Sequence, residues 1–112
     1  MRVAIVGSRN CKNCSAQKIN EHIPLKCTRI ISGGAGGVDA LAAECARMRD
    51  VPLENYLPEY EKYGKNALLL RNTKIVEASD LVLAFWNFTS KGTAHTIAEC
   101  IRLRVPFRII GI

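Results

Sequence analysis

The stretch ISGGAGGVDALA, residues 31–42, decides how this chain folds. It places four glycines within five positions, after an apolar β-branched run and before an alanine-rich one. Glycine weakens the interior of either regular element, so this much bare backbone marks a turn. Upstream, TRIIS (28–32) has the make-up of a short strand. Downstream, Val38–Arg49 carries Leu41, Cys45 and Met48 at helical spacing. Strand, glycine turn and helix in that order form one corner of an α/β unit.

The same alternation runs outward in both directions. RVAIVG (2–7), LENYL (53–57), LVLAFW (81–86) and FRIIGI (107–112) join TRIIS as expected strands. Ser15–Ile23, Lys65–Ala78 and Thr93–Arg104 join Val38–Arg49 as expected helices. Near-continuous apolar strands separated by helices imply a parallel sheet covered on both faces, because each crossover is right-handed and both faces need cover. The expectation is a single domain over residues 1–112. It is an α/β, Rossmann-like three-layer sandwich with a five-stranded parallel sheet in the order 3-2-1-4-5.

Composition sets the outer limits. With 112 residues, 48% of them hydrophobic, there is enough apolar material for one core and too little for two. No apolar run approaches the ~20 residues of a membrane span, and RVAIVG follows the first methionine without the features of a signal peptide. A cytoplasmic location and no membrane partner are expected. The odd count of five cysteines suits a reducing compartment better than a disulfide framework. A net charge of +6 favours an anionic partner, whether phosphate or nucleic acid, and also serves solubility alone.

In the expected topology the glycine turn lies at the carboxyl edge of the sheet, where open α/β folds bind ligands. Bare backbone there lets a ligand approach, and the next helix offers unpaired N–H groups to an anion. The stretch is neither G-x-G-x-x-G, since Asp39 stands at the third glycine position, nor a P-loop. A plain strand-to-helix turn is therefore the alternative to a phosphate cradle. GSRN (7–10) and TSKGTA (89–94) fall on the same edge, with Ser90 or Thr93 suited to capping the last helix. Arg71 and Asn72 interrupt an otherwise apolar helix. The guanidinium there covers the sheet edge, pairs with a carboxylate such as Asp39, or aims its fork at phosphate.

Taken in order, GSR, SGGAGGVDALA, RN, ASDLVLAFW and SKGT resemble the SLOG superfamily, most of all its small single-domain YspA/YpsA-related branch. The resemblance runs from about Val3 to Ile110, and NCKNCSAQKINEHIPLKC (10–27) departs from it, which makes a short or displaced first helix the expectation there. It implies a homodimer that binds a nucleotide or nucleotide-derived phosphorylated small molecule and needs neither cofactor nor metal. The implied ligand-binding set is Gly7, Ser8, Arg9, Ser32, Gly33, Gly34, Gly36, Gly37 and Asp39, with Arg71, Asn72, Ser90, Gly92 and Thr93 from the second half of the chain. Phosphate would meet the glycine turns, and sugar hydroxyls Asp39 or Asn72.

Relatives in that superfamily imply two further activities. Phosphoribohydrolases of the Lonely guy type cleave an N-glycosidic bond with a glutamate that corresponds here to Thr96. Glu99, nearly a turn further on, is the substitute, so Arg71 and Glu99 are the catalytic candidates if the chain is an enzyme. DNA-processing protein A relatives bind single-stranded DNA, but the cations here are scattered without a stripe of aromatics, which makes nucleic acid the lesser partner. Trp86 and Phe88 are the aromatics beside the crevice, with Trp86 as core the competing role. Tyr60 and Tyr63 either cover a ligand base or begin a helix, and His95 either contacts ligand or caps. Finally, CKNC (11–14) is a redox dithiol, half of a zinc site with Cys27 and His22, or a pair of incidental loop thiols.

Overall fold

The computed structural model describes residues 1–112. Its strands are β1 (Arg2–Gly7), β2 (Arg29–Ser32), β3 (Leu53–Asn55), β4 (Leu81–Trp86) and β5 (Phe107–Gly111). All neighbours pair in parallel, in the order β3-β2-β1-β4-β5. The five-stranded sheet and its order are those expected from the alternation of elements. Between the strands stand α1 (Ala16–Asn20), α2 (Val38–Arg49), α3 (Tyr60–Tyr63), α4 (Ala67–Glu77) and α5 (Lys91–Leu103), with one 3₁₀ turn at Gly64–Asn66.

Strand side chains alternate between the two faces, and each face has its own core. Val3, Ile5, Ile30, Leu81, Leu83 and Phe85 point towards Ile19 of α1 and towards Val38, Ala42 and Cys45 of α2. Ala4, Val6, Ile31, Val82 and Ala84 point towards Ile75 and Val76 of α4 and towards Ile97 and Cys100 of α5. Val3 lies level with Ile30 and Leu81, and Ala4 with Ile31 and Val82, so each row crosses the sheet on one face. Side chains such as Ile5 and Leu83 are wholly buried, each worth about 1.5–3 kcal/mol relative to exposure. Helices covering one face follow β1 and β2, and those covering the other follow β3 and β4. The direction of winding therefore reverses between the adjacent strands β1 and β4.

Several elements differ in extent from the sequence expectation. The first helix keeps only five residues, capped by Ser15, whose Oγ accepts the Lys18 N–H at 3.2 Å. It stops at a turn that runs into Pro24. The third strand ends at Asn55; the Tyr56 N–H still bonds the Ser32 carbonyl at 2.9 Å, and Pro58 follows without a donor. Tyr60 and Tyr63 form the short α3, the helical-entry alternative. No helix is long and apolar enough to cross a membrane.

Candidate functional site

The turns after β1, β2 and β4 meet beside the reversal point and, with the inner side of α4, enclose a cavity of about 600 Å³. Gly7 ends β1 where no side chain fits, since a Cβ would stand 2.5 Å from the Phe85 carbonyl and 2.8 Å from Val38 Cγ2. Ser8 then turns inward and is buried; its N–H bonds the Phe85 carbonyl at 3.1 Å, and its Oγ accepts the Asn87 N–H at 3.2 Å. These two bonds clamp the first turn to the fourth.

The glycine-rich turn is organised by what touches it. At Gly33 an added Cβ would lie 2.6 Å from Arg71 Nη1 and 2.9 Å from Asp39 Oδ2, so the absent side chain makes room for both groups. Arg71 Nη1 donates to the Gly33 carbonyl at 2.8 Å and to the Tyr56 carbonyl at 3.4 Å, while Nε donates to Asn72 Oδ1 at 3.0 Å. Asn72 is buried, and its amide donates to the Gly92 carbonyl at 3.5 Å and meets His95 Nδ1 at 3.3 Å. Arg71 and Asn72 thus tie the glycine turn to the start of α5. Gly37, at φ +65°, packs against the Arg9 backbone so closely that a Cβ would sit 2.7 Å from Arg9 Cα. It positions the first turn and does not itself line the cavity.

Charge in the cavity is one-sided. Arg9, Arg71 and Lys91 line it against the single carboxylate of Asp39. The four ion pairs of the chain, Arg2–Asp80, Arg29–Glu54, Lys74–Glu59 and Arg102–Glu99, use none of these cations. Arg9 and Lys91 are exposed at the rim, whereas Arg71 is half-buried, and its burial lowers the guanidinium's proton affinity from the usual range. Asp39 does not pair with Arg71; its Oδ2 accepts the Ala35 N–H at 3.1 Å. Burial raises its pKa above the ordinary carboxylate value, opposed by the Ala35 bond and by Arg71 and Arg9.

The wall from β4 is built by hydrogen bonding within the turn. Asn87 Oδ1 accepts the N–H groups of Thr89 at 3.0 Å and Ser90 at 2.9 Å. Ser90 is the cap of α5, its Oγ accepting the Thr93 N–H at 3.4 Å, so Thr93 is a buried first-turn residue and not the cap. Trp86 is half-buried and packs against the α4–α5 side of the core, donates from Nε1 to the Ser90 carbonyl at 3.0 Å and has Phe88 tilted against it at 5.0 Å between ring centres. Phe88 is 62% exposed and adopts φ +65°, which turns its ring to the surface.

The cavity brings together Gly7, Ser8, Arg9, Gly33 and Asp39 with Arg71, Asn72, Ser90, Gly92 and Thr93. Ser32, Gly34, Gly36 and Gly37 stay outside its lining; Ser32 Oγ accepts the Gly34 N–H at 3.3 Å and shapes the turn from behind. Glu99 also lies outside. It accepts from Thr73 Oγ1 at 2.5 Å and from Arg102 at 2.7 and 2.9 Å, and these partners, Arg102 foremost, hold its pKa down to about 2. Sequence reasoning passed over Asn10, Asn87 and Lys91, although all three stand within or beside motifs it had singled out.

The cysteines divide into two kinds. Cys11 and Cys14 are joined in a disulfide, whereas Cys27, Cys45 and Cys100 are free and buried. The odd count favours a reducing compartment over a disulfide framework, and one disulfide is nevertheless present, within CKNC. No group of three or more His, Cys, Asp or Glu is placed to hold a metal ion, and Cys27 Sγ is turned to the Arg29 carbonyl at 3.4 Å.

No protein-family model matches the sequence, and no curated protein matches it. The fold is similar to that of DNA processing protein A from Helicobacter pylori, a structure described for its single-stranded DNA binding mode. The TM-score is 0.75 at 20% identity, over 97% of this chain and 64% of that one. This chain thus spans a little under two thirds of that protein's length, and the likeness is one of fold.

Proposed function

We propose that residues 1–112 form one SLOG-type domain that binds the phosphorylated part of a nucleotide or nucleotide-derived small molecule in the cavity at the reversal point. The observation that carries this reading is the pair of unpaired rim cations, Arg9 and Lys91, facing a cavity with three lining cations and one carboxylate. A phosphate lying between them meets the glycine-bearing turn of β1 and the first turn of α5, where free N–H groups and the helix dipole favour an anion. Arg71 acts mainly as a strut, since Gly33, Tyr56 and Asn72 already engage its fork, and Nη2 remains for ligand. Asp39 and Asn87 offer polar contacts to sugar hydroxyls further from the phosphate.

Binding without turnover is the form of this proposal that the site supports best. A general acid for N-glycosidic cleavage needs a raised pKa and a place beside the scissile bond. Glu99 has neither, and Thr96, at the position of the hydrolase glutamate, donates its hydroxyl to the Gly92 carbonyl at 3.1 Å. Calorimetric titration with inorganic phosphate, AMP, ADP and ADP-ribose tests the reading. Binding of at least one nucleotide that Arg9→Ala weakens is expected, with no free base released on chromatography; absence of any nucleotide binding refutes it.

A second reading, single-stranded DNA binding, is favoured by the exposed Phe88, its ring tilted against Trp86 at the end of β4, and by the net charge of +6. It predicts retention of an oligonucleotide with a steep salt dependence and loss on Phe88→Ala. Pairing of two copies belongs to the same proposal. Leu68, Leu69 and Leu70 of α4 are 37%, 47% and 38% exposed, and the first two border the cavity, so a partner on that face would extend its wall. Sedimentation at micromolar concentration checks it, and a monomeric mass removes it.

A further inference from the structure

A second cavity, of about 490 Å³, lies away from the first, between α1 and the ends of β4 and β5. Cys14 lines it together with Lys18, His22, Phe85 and Ile110. Cys11, its disulfide partner, does not line it, although both cysteines pack against the α1–α2 side of the core. The two cysteines therefore differ in which of them borders the cavity: Cys14 does, and Cys11 does not.

We propose that Cys11 and Cys14 are a redox couple that undergoes thiol–disulfide exchange with a small carboxylate-bearing thiol entering this second cavity, Cys14 being the sulfur attacked. The cross-link closes only a four-residue segment, and stabilisation by a disulfide grows with the loop it closes, so a purely structural role is the weakest use of it. The Cα atoms are 5.5 Å apart, within the range that lets the bond form or open without backbone rearrangement. Lys18 Nζ donates to the carbonyl of Asn13, inside the cross-linked segment, at 3.2 Å, and brings a positive charge to the cavity that Cys14 lines. Together with His22, packed edge-on to Phe85 at 5.7 Å, it supplies cationic and polar contacts for a carboxylate, while Glu21 is the one acidic side chain in the lining. Cys27, Cys45 and Cys100 are buried, and burial pushes the Cys45 and Cys100 thiols up to about 11, so they do not compete as exchange partners.

The step balances with the thiol as reductant. Its thiolate attacks Cys14 Sγ, the S–S bond breaks, and Cys11 leaves as a thiolate that takes a proton. A second thiol then attacks the small-molecule sulfur of the mixed disulfide and releases Cys14 as a thiol. Two small thiols become one small disulfide, and the protein disulfide becomes a dithiol; the reverse path uses the small disulfide as oxidant.

The test uses the whole chain equilibrated in glutathione buffers of varied ratio, quenched by acid and alkylated, then read by peptide mass spectrometry. One reversible two-electron transition confined to Cys11 and Cys14 is expected. Oxidised glutathione should trap Cys14 in Cys11→Ser on the order of tenfold faster than it traps Cys11 in Cys14→Ser. Lys18→Glu, at an exposed side chain, should slow trapping at Cys14 in the Cys11→Ser background. The proposal is overturned if the couple does not exchange with glutathione in the wild-type chain, if the two sulfurs are trapped equally fast, or if Lys18→Glu leaves trapping unchanged. The wild-type titration decides the exchange itself should a cysteine variant fail to fold.

Discussion

Removing Arg9 and Lys91 together separates binding from folding more cleanly than any other change in the cavity. Both side chains are exposed, and neither enters an ion pair, so an Arg9→Ala, Lys91→Ala variant leaves every internal contact of those side chains' neighbours in place. Its stability should fall by no more than about 0.5 kcal/mol, a shift of roughly 2–4 °C in Tm for a domain of this size. A phosphate bound between the two loses two charge-assisted hydrogen bonds. At the lower end of their range, suited to a solvent-facing rim, each is worth about 1.5 kcal/mol. The sum of about 3 kcal/mol corresponds to a loss of affinity on the order of a hundredfold. Calorimetric titration with ADP, at low and moderate salt, measures it alongside a thermal melt of the free protein. Binding within about threefold of wild type at unchanged Tm would refute the placement of phosphate between these cations. A large drop in Tm would instead refute their structural independence.

Gly37→Ala should be strongly destabilising, by more than about 1 kcal/mol from φ +65° alone and further through its approach to the Arg9 backbone, whereas Gly36→Ala, where a Cβ meets nothing within 4 Å, should fold as wild type; chemical denaturation compares them. Ser90→Ala removes the side-chain cap of α5 and should cost about 1 kcal/mol by the same measurement. Glu99, whose pKa falls from 4.5 to about 2 on folding, contributes stability that is present above pH 4.5 and is lost as pH drops towards 2. Because its partner Arg102 is largely exposed, screening limits this to roughly 1 kcal/mol, and Glu99→Gln should flatten the acid limb of a stability–pH profile without altering ligand binding.

The sheet and its order were legible because strand runs such as AIV and VLAF can only be buried on both faces, and the alternation with helices leaves one direction of winding reversal. The turns of the site were legible for the same reason, as glycines and small polar residues stand where the chain must bend. Which atoms face inward was not. Gly37 and Ser32 belong to the right turn, yet serve the backbone behind it, and that depends on a contact with Arg9 from a distant part of the chain. Glu99 shares a helix with the site but is turned towards Thr73 of α4, a packing relation that spacing along α5 alone does not contain. Lys91 was overlooked because an exposed lysine beside a cap looks like any other surface cation until the opposite wall is known. The extent of α1 was legible only as the stretch where the family resemblance breaks off.

The seat of the Arg9 backbone on Gly37 makes the turns after β1 and β2 a single mechanical body. Arg9 cannot be drawn towards a bound anion by moving its own main chain, because the first turn of α2 would have to travel with it. Its reach must come from side-chain torsions. Amide hydrogens on both turns should accordingly open together rather than singly, and a ligand held by one should slow exchange at the other even where it makes no contact.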